Sequence, residues 1–418
     1  MKHTKWLVKS AWVIGILTVA TNSAHAAGYD LPDLDAFAVG RGMAVVATAD
    51  NPSAIYYNPA GITQLQGSNL RGGIYAIDLE PTFQSTSGAN AGTTYHNHDK
   101  YHPVPQLYYT YTKENSPVSF GLGLYSPFGL GQEWPDDTGF RTIGTAASVM
   151  CVALNPVVAY KLTPTLSVAG GVSLLYGSAN LKQGLFDPTA PTDGFRFDGD
   201  GAGFGYNFGL LWKPVEKISI GATFRSSSTL YLNGHTKFFS TAPAIPTTQT
   251  SAHADFPLPL KVICGISYRP TPNWNFEFDA DYKDWSSVRT LTIEQTAPNA
   301  LGQNIPVTLN WASSWYYEFG VTRYLKNGWL ISAGYIFNEN SVPDANYTVQ
   351  VLDMDKHFFS VGLGHRGKKY DFDIAYQFGY GPTRTVSGGT PQPAIGQTPN
   401  GDYSYISHAL AVSVGMHF

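Results

Sequence analysis

The sequence contains 418 residues with 26 basic and 30 acidic side chains, and its formal net charge is −4 at neutral pH. This mildly acidic balance provides no basic surface for nucleic acid, so we predict no nucleic-acid partner. Only 13% of the residues are charged, whereas 14% are aromatic and 43 are glycine. This mixture is unusual for a soluble protein and indicates strands whose aromatic faces contact lipid.

The amino terminus has the three parts of a secretory signal peptide. Basic residues precede an apolar run over residues 11–20, and Ala24 and Ala26 provide a small-residue cleavage site. The apolar run is too short to cross a bilayer as a helix. We therefore predict that residues 1–26 form a signal peptide that is removed on export.

Residues 27–66 are the long stretch of the mature chain that lacks the alternation of strands. Glycine and alanine recur at short spacing, which allows short, closely packed helices. Pro52, Pro59 and Gly61 interrupt any longer helix and force turns. We predict a compact, partly helical plug, or hatch, enclosed by the rest of the chain.

Residues 67–418 repeat one unit, in which about ten or more residues with alternating apolar positions are followed by a turn. We count fourteen such units. In one of them Tyr370 and Phe372 share a face opposite Asp371 and Asp373. An even number of strands returns both ends of the chain to the same side of a sheet.

Alternation alone does not separate a membrane barrel from a water-soluble sandwich, but the connections do. Short links such as Thr163-Pro164 alternate with long ones such as residues 127–148, as periplasmic turns alternate with extracellular loops. The chain ends on an aromatic residue, Phe418, as outer-membrane assembly signals do. The prediction is an all-β, 14-stranded antiparallel transmembrane β-barrel in the outer membrane of a Gram-negative bacterium, with the plug in its lumen.

The alternation also assigns a side of the wall to each cysteine. Cys151 lies opposite the apolar face of its strand and so points to the lumen, whereas Cys264 shares the lipid-facing side. Although export would allow a disulfide, side chains on opposite sides of the wall cannot form one. We predict two free thiols.

Several charged residues have the parity to face the lumen, where carboxylates shielded from water need basic partners. These residues are Glu277, Asp279, Asp281, Asp371 and Asp373, with Arg225, Lys261 and Lys283 as candidate partners. We favour an ion-pair network that holds the plug over a pathway for ions.

Catalytic and metal-binding patterns are weak. The sequence has no G-x-S-x-G, H-E-x-x-H or G-x-x-x-x-G-K motif. His96, His98 and His102 have a spacing that suits a transition metal, but no cysteine or carboxylate pattern completes the site, so a solvated loop is favoured. We predict no catalytic residues, no metal and no cofactor.

Five motifs together carry a family resemblance: Asn58-Pro59-Ala60, Ser126-Pro127-Phe128-Gly129-Leu130, Pro156-Val157-Val158-Ala159-Tyr160, Asp284-Trp285-Ser286 and Ser341-Val342-Pro343-Asp344. With them the sequence resembles the FadL/TodX family of outer-membrane transporters for long-chain fatty acids and other hydrophobic compounds, over nearly the whole mature chain. The resemblance implies a monomeric, passive barrel in which the first motif is the turn that seats the hatch. A hydrophobic ligand would move from the outer loops to an inner pocket and then sideways into the lipid.

The resemblance also implies a kink in the third strand that opens the barrel wall, at positions matching the surroundings of Gly129. The local sequence agrees, because Pro127 donates no ladder hydrogen bond and Gly129 permits a bulge. We predict a lateral opening at Pro127 and Gly129. The alternative is that Pro127 simply begins the following loop.

Ligand contacts are implied at the mature terminus, where Tyr29 keeps an aromatic ring, and at Ser126 with the neighbouring Phe128. Family members place a basic residue for a fatty-acid carboxylate late in the fifth strand. The matching position here is Gln183, with Lys182 beside it. If Lys182 does not face the pocket, an uncharged hydrocarbon becomes the better ligand.

Two other functions stay open from the sequence. One is a structural or surface-interaction barrel, similar to an adhesin, with no transport role. The other is a lipid-modifying barrel enzyme. A lumen pocket that is apolar favours transport, whereas a fully packed lumen favours the surface role.

Overall fold

The structure is a computed structural model that describes residues 28–86, 91–98, 101–185, 193–240, 246–390 and 397–418. The predicted signal peptide, residues 1–26, lies outside the described residues. In the described part of the chain, no helix has both the length and the apolar character needed to cross a membrane.

The described helices are short, and the strands are long. Two α-helices, Ala36–Val39 and Ala54–Tyr57, and the 3₁₀ helix Pro59–Gln64 lie in the amino-terminal segment, and further 3₁₀ helices span Trp285–Ser287, Lys326–Gly328 and Asp344–Asn346. The strands are β1 (Gly67–Leu79), β2 (Thr82–Ser85), β3 (Thr94–His96), β4 (Tyr101–Thr112), β5 (Val118–Glu133), β6 (Ala146–Thr163), β7 (Leu166–Gln183), β8 (Gly194–Val215), β9 (Ile218–Arg225), β10 (Ser228–Phe239), β11 (Thr248–Leu258), β12 (Leu260–Thr271), β13 (Trp274–Asp284), β14 (Thr290–Asn299), β15 (Gly302–Thr308), β16 (Ser314–Tyr324), β17 (Trp329–Asn338), β18 (Lys356–Arg366), β19 (Tyr370–Val386) and β20 (Gly401–His417).

The strands form one closed antiparallel wall. β1 pairs on one side with β4, where Tyr75 faces Val104, and on the other with β20, where Tyr75 faces Ala411. β9 and β10 together make one wall strand, as do β11 with β12, β13 with β14, and β15 with β16, while β2 and β3 form a small addition beside β20. The wall therefore has fourteen strands, which confirms the predicted barrel.

The two faces of the wall follow the predicted alternation. Tyr370 and Tyr376 on β19 are 55% and 43% exposed, whereas Asp371, Asp373 and Gln377 between and beside them are buried. The outward face is thus a layer of aromatic and aliphatic side chains suited to lipid. Closure leaves no sheet edge that would need hydrogen bonds from the hydrocarbon.

The amino-terminal segment is buried from Gly28 to Thr63, with the single partly exposed position at Asp50. Wall carboxylates bind its backbone directly: Glu277 accepts hydrogen bonds from the N–H groups of Ala47 (2.7 Å) and Thr48 (3.0 Å). Asp279 likewise accepts from the N–H groups of two adjacent residues of the segment, both at 2.9 Å. These carboxylates satisfy donors in a turn that the segment itself leaves unpaired.

Two buried arginines complete the contact between the segment and the wall. Arg41 pairs with Glu277 at 3.3 Å. Arg71, on β1, binds Asp35 of the segment with Nε at 2.5 Å and Asp373 of β19 with Nη2 at 2.6 Å. A single guanidinium therefore joins the segment to two wall strands.

The carboxylates predicted to face the lumen do so, but most of their partners differ from the predicted ones. Asp281 pairs with Lys261 and Lys283 as expected, each at 3.4 Å. Asp373 instead pairs with Arg71 and Arg366, and Glu277 with Arg41. The prediction missed Arg41 because it lies in the segment without alternation, where parity assigns no direction.

We expect Arg71→Leu to destabilise the barrel by about 3–5 kcal/mol, because it leaves buried carboxylates without their counter-charge. Urea titration of the protein folded into lipid vesicles measures this difference in the free energy of unfolding. Arg196→Leu is the matched control, since Arg196 pairs with Asp198 at 2.6 Å but is 50% exposed, and its loss should cost about 0–1 kcal/mol. Equal stability of the two variants would contradict the structural role of Arg71.

Both cysteines are free, with Cys151 buried and Cys264 exposed on the outer face, as the alternation predicts. In the native barrel, an apolar maleimide should therefore modify Cys264 and leave Cys151 unmodified until the protein is unfolded. Mass spectrometry of the labelled, unreduced protein measures both. A Cys151–Cys264 disulfide would show that the strand registers are wrong.

Candidate ligand-binding cavity

The third wall strand, β5, leaves its neighbour part-way along its length. Its pairing with β4 extends to Leu124, which faces Leu107, whereas its pairing with β6 continues to Glu133. Between Tyr125 and Phe128 the register against β6 shifts by one residue. β5 therefore contains a bulge. Beyond the bulge it still pairs with β6 but no longer with β4.

The bulge consists of Ser126 and Pro127, which together oppose one residue of β6. Proline has no N–H group and so removes one donor from the ladder at this point. The sequence-based expectation that pairing is interrupted here is met in the geometry. Both residues are buried, so the bulged part of β5 is directed into the barrel rather than toward lipid.

Hydrogen bonds that β4 no longer provides are supplied by residues 29–31. The N–H of Leu31 donates to the carbonyl of Pro127 at 2.9 Å, and the N–H of Gly129 donates to the carbonyl of Tyr29 at 2.8 Å. Between them Asp30 forms an antiparallel bridge with Phe128. Residues 29–31 thus act as a short extra strand along the bulge.

The ring of Tyr29 lies within an aromatic cluster. The ring centroids of Phe256 and Trp285 are each 4.8 Å away, that of Trp311 is 5.6 Å away, and that of Phe128 is 6.1 Å away. The Tyr29 hydroxyl donates to the carbonyl of Pro257. Burial raises the pKa of this hydroxyl well above its usual value, so Tyr29 is a neutral part of the cavity wall.

Gly28 is required beside this cluster for two reasons. Its φ is +62°, a conformation that side chains with a Cβ rarely adopt, and a Cβ added there would lie 2.5 Å from an edge carbon of Trp285. The close approach of the backbone to Trp285 therefore depends on glycine. Any larger residue would displace Tyr29 from the cluster.

A cavity that is partly open to solvent lies next to the bulge. Its walls include the apolar or aromatic residues Tyr56, Pro127, Phe128, Leu175 and Leu258 and the charged residues Asp30, Arg225, Lys261 and Lys283. An apolar chamber with a few convergent polar groups is typical of a site for a small amphipathic molecule.

Two of the three cations in the cavity are neutralised by carboxylates. Lys261 pairs with Asp30 at 3.0 Å and Lys283 pairs with the same carboxylate at 2.5 Å, and Asp281 lies 3.4 Å from both ammonium groups. Burial alone would raise the pKa of Asp30, but the two lysines outweigh it and lower the pKa below its usual value. Asp30 is therefore ionised and locked to the wall.

Arg225 differs from the two lysines because it forms no ion pair within the described residues. Its guanidinium donates to the hydroxyl of Tyr125 at 3.0 Å and to the backbone carbonyls of Ile55 and Tyr56, and it stacks 4.5 Å from the ring centroid of Tyr56. All of these acceptors are neutral. The cavity therefore keeps one positive charge that no carboxylate of the described residues compensates.

A family model described as outer membrane protein transport protein (OMPP1/FadL/TodX) matches residues 17–418. The chain belongs to this family. The long-chain fatty acid transport protein of Salmonella typhi is 23% identical over an alignment that covers 94% of this chain and 96% of that protein. The FadL/TodX family consists of outer-membrane transport channels for hydrophobic compounds, so the protein is an outer-membrane channel and not an enzyme.

Solved structures show the same fold at low identity. A FadL homologue from Pseudomonas aeruginosa superposes with a TM-score of 0.83 at 18% identity, covering 94% of this chain and 100% of that one. The toluene transporter TodX of Pseudomonas putida gives a TM-score of 0.72 at 15% identity, with 93% and 99% covered. The barrel architecture of the FadL/TodX family is therefore retained.

The structure brings some of the residues implied by the FadL/TodX resemblance together and separates others. Tyr29, Ser126 and Phe128 all lie at the bulge. Lys182 lies instead at the outer end of β7, where its ammonium group binds Asp136 at 2.8 Å, and Gln183 is the last residue of that strand. Neither of these two residues is among those that line the cavity.

The motif Asn58-Pro59-Ala60 docks on the wall at β8. The amide nitrogen of Asn58 donates to the carbonyls of Val46 (2.8 Å) and Leu210 (2.9 Å), and its amide oxygen accepts from the N–H of Ala60. Pro59 begins the 3₁₀ helix, where its missing N–H costs nothing. One side chain therefore ends a turn inside the segment and fastens it to the barrel.

Asp33 is a buried carboxyl group near the cavity that sequence reasoning did not single out. Burial raises its pKa to about 7, although the amide of Gln377 donates to it at 3.2 Å and opposes the shift. The negative charge of Asp30 raises the pKa further. Near the cavity, the segment therefore places the ionised carboxylate of Asp30 close to the carboxyl group of Asp33, which titrates near neutral pH.

Proposed function

We propose that the protein carries hydrophobic molecules passively across the outer membrane, by binding them in the cavity beside Phe128 and releasing them sideways near β5. The observation that carries this proposal is the position of the cavity, which adjoins the bulge of β5 at Ser126 and Pro127. A barrel that only binds partners through its outer loops does not require a cavity beside an interrupted wall strand.

Lateral release suits an apolar cargo for energetic reasons. Each methylene group that leaves hydrocarbon for water costs about 0.8 kcal/mol. A long chain that passes from the cavity into the bilayer avoids this cost, whereas release into the periplasm incurs it for every methylene group. We propose that outer-membrane lipid receives the ligand and that the barrel acts as a monomer.

The charge of the cavity supports a ligand with a carboxylate. Asp30 and Asp281 balance Lys261 and Lys283, and Arg225 is left with neutral acceptors only. A fatty-acid carboxylate would supply the missing counter-charge through charge-assisted hydrogen bonds. We therefore propose a long-chain fatty acid as the ligand, with Arg225 rather than the predicted Lys182 as the main partner of its head group.

The predicted positions outside the cavity fit an earlier stage of transport. Lys182 and Gln183 lie at the carboxy-terminal end of β7, and we propose that they contact the ligand as it enters from the loops. Ser126, in the bulge, would contact it inside. The competing ligand class is uncharged hydrocarbons, since TodX is named a toluene transporter. Such ligands carry no charge that would pair with Arg225.

We also propose that residues 27–66 act as the hatch. Its backbone and charges are bound to the wall at Glu277 and Asp279, Asn58 fastens the turn at β8, and Tyr29 reaches the cavity. Movement of Tyr29 would transmit ligand binding to the bulge of β5. The turn of the segment that is bound to Glu277 and Asp279 would stay folded.

We expect Arg225→Gln to weaken oleate uptake by about tenfold or more and to leave toluene uptake nearly unchanged, since a hydrogen bond to a charged group is worth about 1.5–3 kcal/mol. Uptake of both labelled compounds by cells that lack their own transporter measures this. Lys182→Gln is the comparison variant. A larger loss in Lys182→Gln than in Arg225→Gln would place the carboxylate contact at the outer end of β7.

We expect Gly129→Trp to lower oleate uptake severalfold, because bulk at the bulge fills the proposed exit. Ala76→Trp is the matched control, since Ala76 lies on the exposed outer face of β1 and the added ring would meet only lipid. Heat-modified migration on gels confirms that both variants fold. Unchanged uptake in Gly129→Trp would count against release at β5.

A further inference from the structure

The wall has a second interruption, between β8 and the strand formed by β9 and β10. Regular pairing stops where Asn207 faces Arg225 and resumes where Ala202 faces Tyr231. In this interval β8 contributes four residues and its neighbour five, so the neighbour carries an extra residue. We call the interval, residues 203–206 with 226–230, the seam.

A side chain replaces part of the missing ladder at the seam. The N–H of Ser226 donates to the carbonyl of Tyr206 at 2.9 Å, and the N–H of Tyr206 donates to the side-chain oxygen of Ser226 at 3.0 Å. A hydroxyl group thus takes the place of a strand carbonyl. Because backbone groups that face hydrocarbon must be hydrogen-bonded, the Ser226 hydroxyl satisfies the Tyr206 N–H at a point where regular pairing is lost.

At the seam β8 has no inward side chain beyond Cα, because its inward-pointing residues there are Gly203 and Gly205. The other strand packs closely against both: a Cβ added to Gly203 would lie 2.4 Å from the Thr229 carbonyl oxygen, and one added to Gly205 would lie 2.5 Å from the Ser228 hydroxyl. The neighbouring wall strand is also broken at this level, where Pro259 separates β11 from β12 and cannot donate to a ladder. Two adjacent strands of the wall therefore depart from regular pairing at the same level.

The cavity reaches this seam and includes residues from both faces of the wall. Gly205 points inward, whereas Tyr206 is 45% exposed on the outer face, and both line the cavity together with Ser226 and Ser228. Tyr206 lies between Phe204 and Phe208, which are 57% and 54% exposed on the same face. The outer end of the cavity is therefore at the level of the lipid-facing aromatic residues.

From these observations we infer that the seam is a second lateral portal, through which the apolar tail of the bound ligand enters the lipid between Tyr206 and Ser228. This inference rests on the proposed transport function and adds an exit distinct from the one at β5. The arrangement of the cavity gives the direction of exit, since Arg225 lines it beside the seam. The carboxylate stays with Arg225 while the tail leaves first.

A reversible disulfide across the seam tests the portal. The Cβ built on Gly205 lies 3.8 Å from the Cβ of Ser228, which is the spacing of a disulfide. Gly205→Cys with Ser228→Cys is introduced together with Cys151→Ala and Cys264→Ala, and labelled oleate uptake is measured in transporter-deficient cells before and after reduction. The oxidised and reduced forms are the same protein, so any effect of the substitutions themselves cancels.

The matched control is Ala202→Cys with Tyr231→Cys in the same background, because these residues are direct register partners just beyond the seam. We expect oxidation to lower uptake severalfold in the seam variant, reduction to restore it, and neither to affect the control. Equal uptake by the oxidised and reduced seam variants, with wild-type uptake intact, overturns the portal alone. Absence of oleate uptake by the wild type overturns the transport function and the portal with it.

Discussion

Backbone hydrogen bonding in a lipid-facing wall is the constraint on which this structure depends. Hydrocarbon offers no partners, so a barrel can open sideways only where another group replaces the lost ladder bonds. At β5 the replacement is the backbone of Tyr29 and Leu31, and at β8 it is the hydroxyl of Ser226. Both departures from regular pairing adjoin the same cavity, which links the architecture of the wall to the proposed route of the ligand.

The charges of the lumen have a different task, which is to position the amino-terminal segment. Burying an ion pair costs about as much in lost hydration as the pair regains, so these contacts are better explained by specificity than by stability. Arg71 requires Asp35 and Asp373 to meet at one point, and Glu277 requires the turn at Ala47. These contacts favour a single arrangement of the segment in the barrel. Its tip, residues 29–31, lies along the bulge of β5.

The ligand cavity combines both features. The tip of the segment, residues 29–31, contributes Tyr29 to the aromatic cluster and Asp30 to the two lysines, so it belongs to the cavity wall as well as to the proposed hatch. This placement neutralises Lys261 and Lys283 and leaves Arg225 as the cation available to a ligand. A change in the position of the tip would alter the shape of the cavity and its charge together.

The sequence by itself determined the features that have a local period. Alternation along each strand was enough to count fourteen strands, to assign Cys151 and Cys264 to opposite faces and to direct the wall carboxylates inward, because side chains alternate whatever the strand pairs with. Pro127 likewise marked the interruption in β5. The tertiary structure alone decided which groups meet: that Arg71 joins Asp35 to Asp373, that Arg225 rather than Lys182 lines the cavity, and that β8 has a seam. These outcomes depend on register and closure between residues far apart in the chain, and no period of the sequence encodes them.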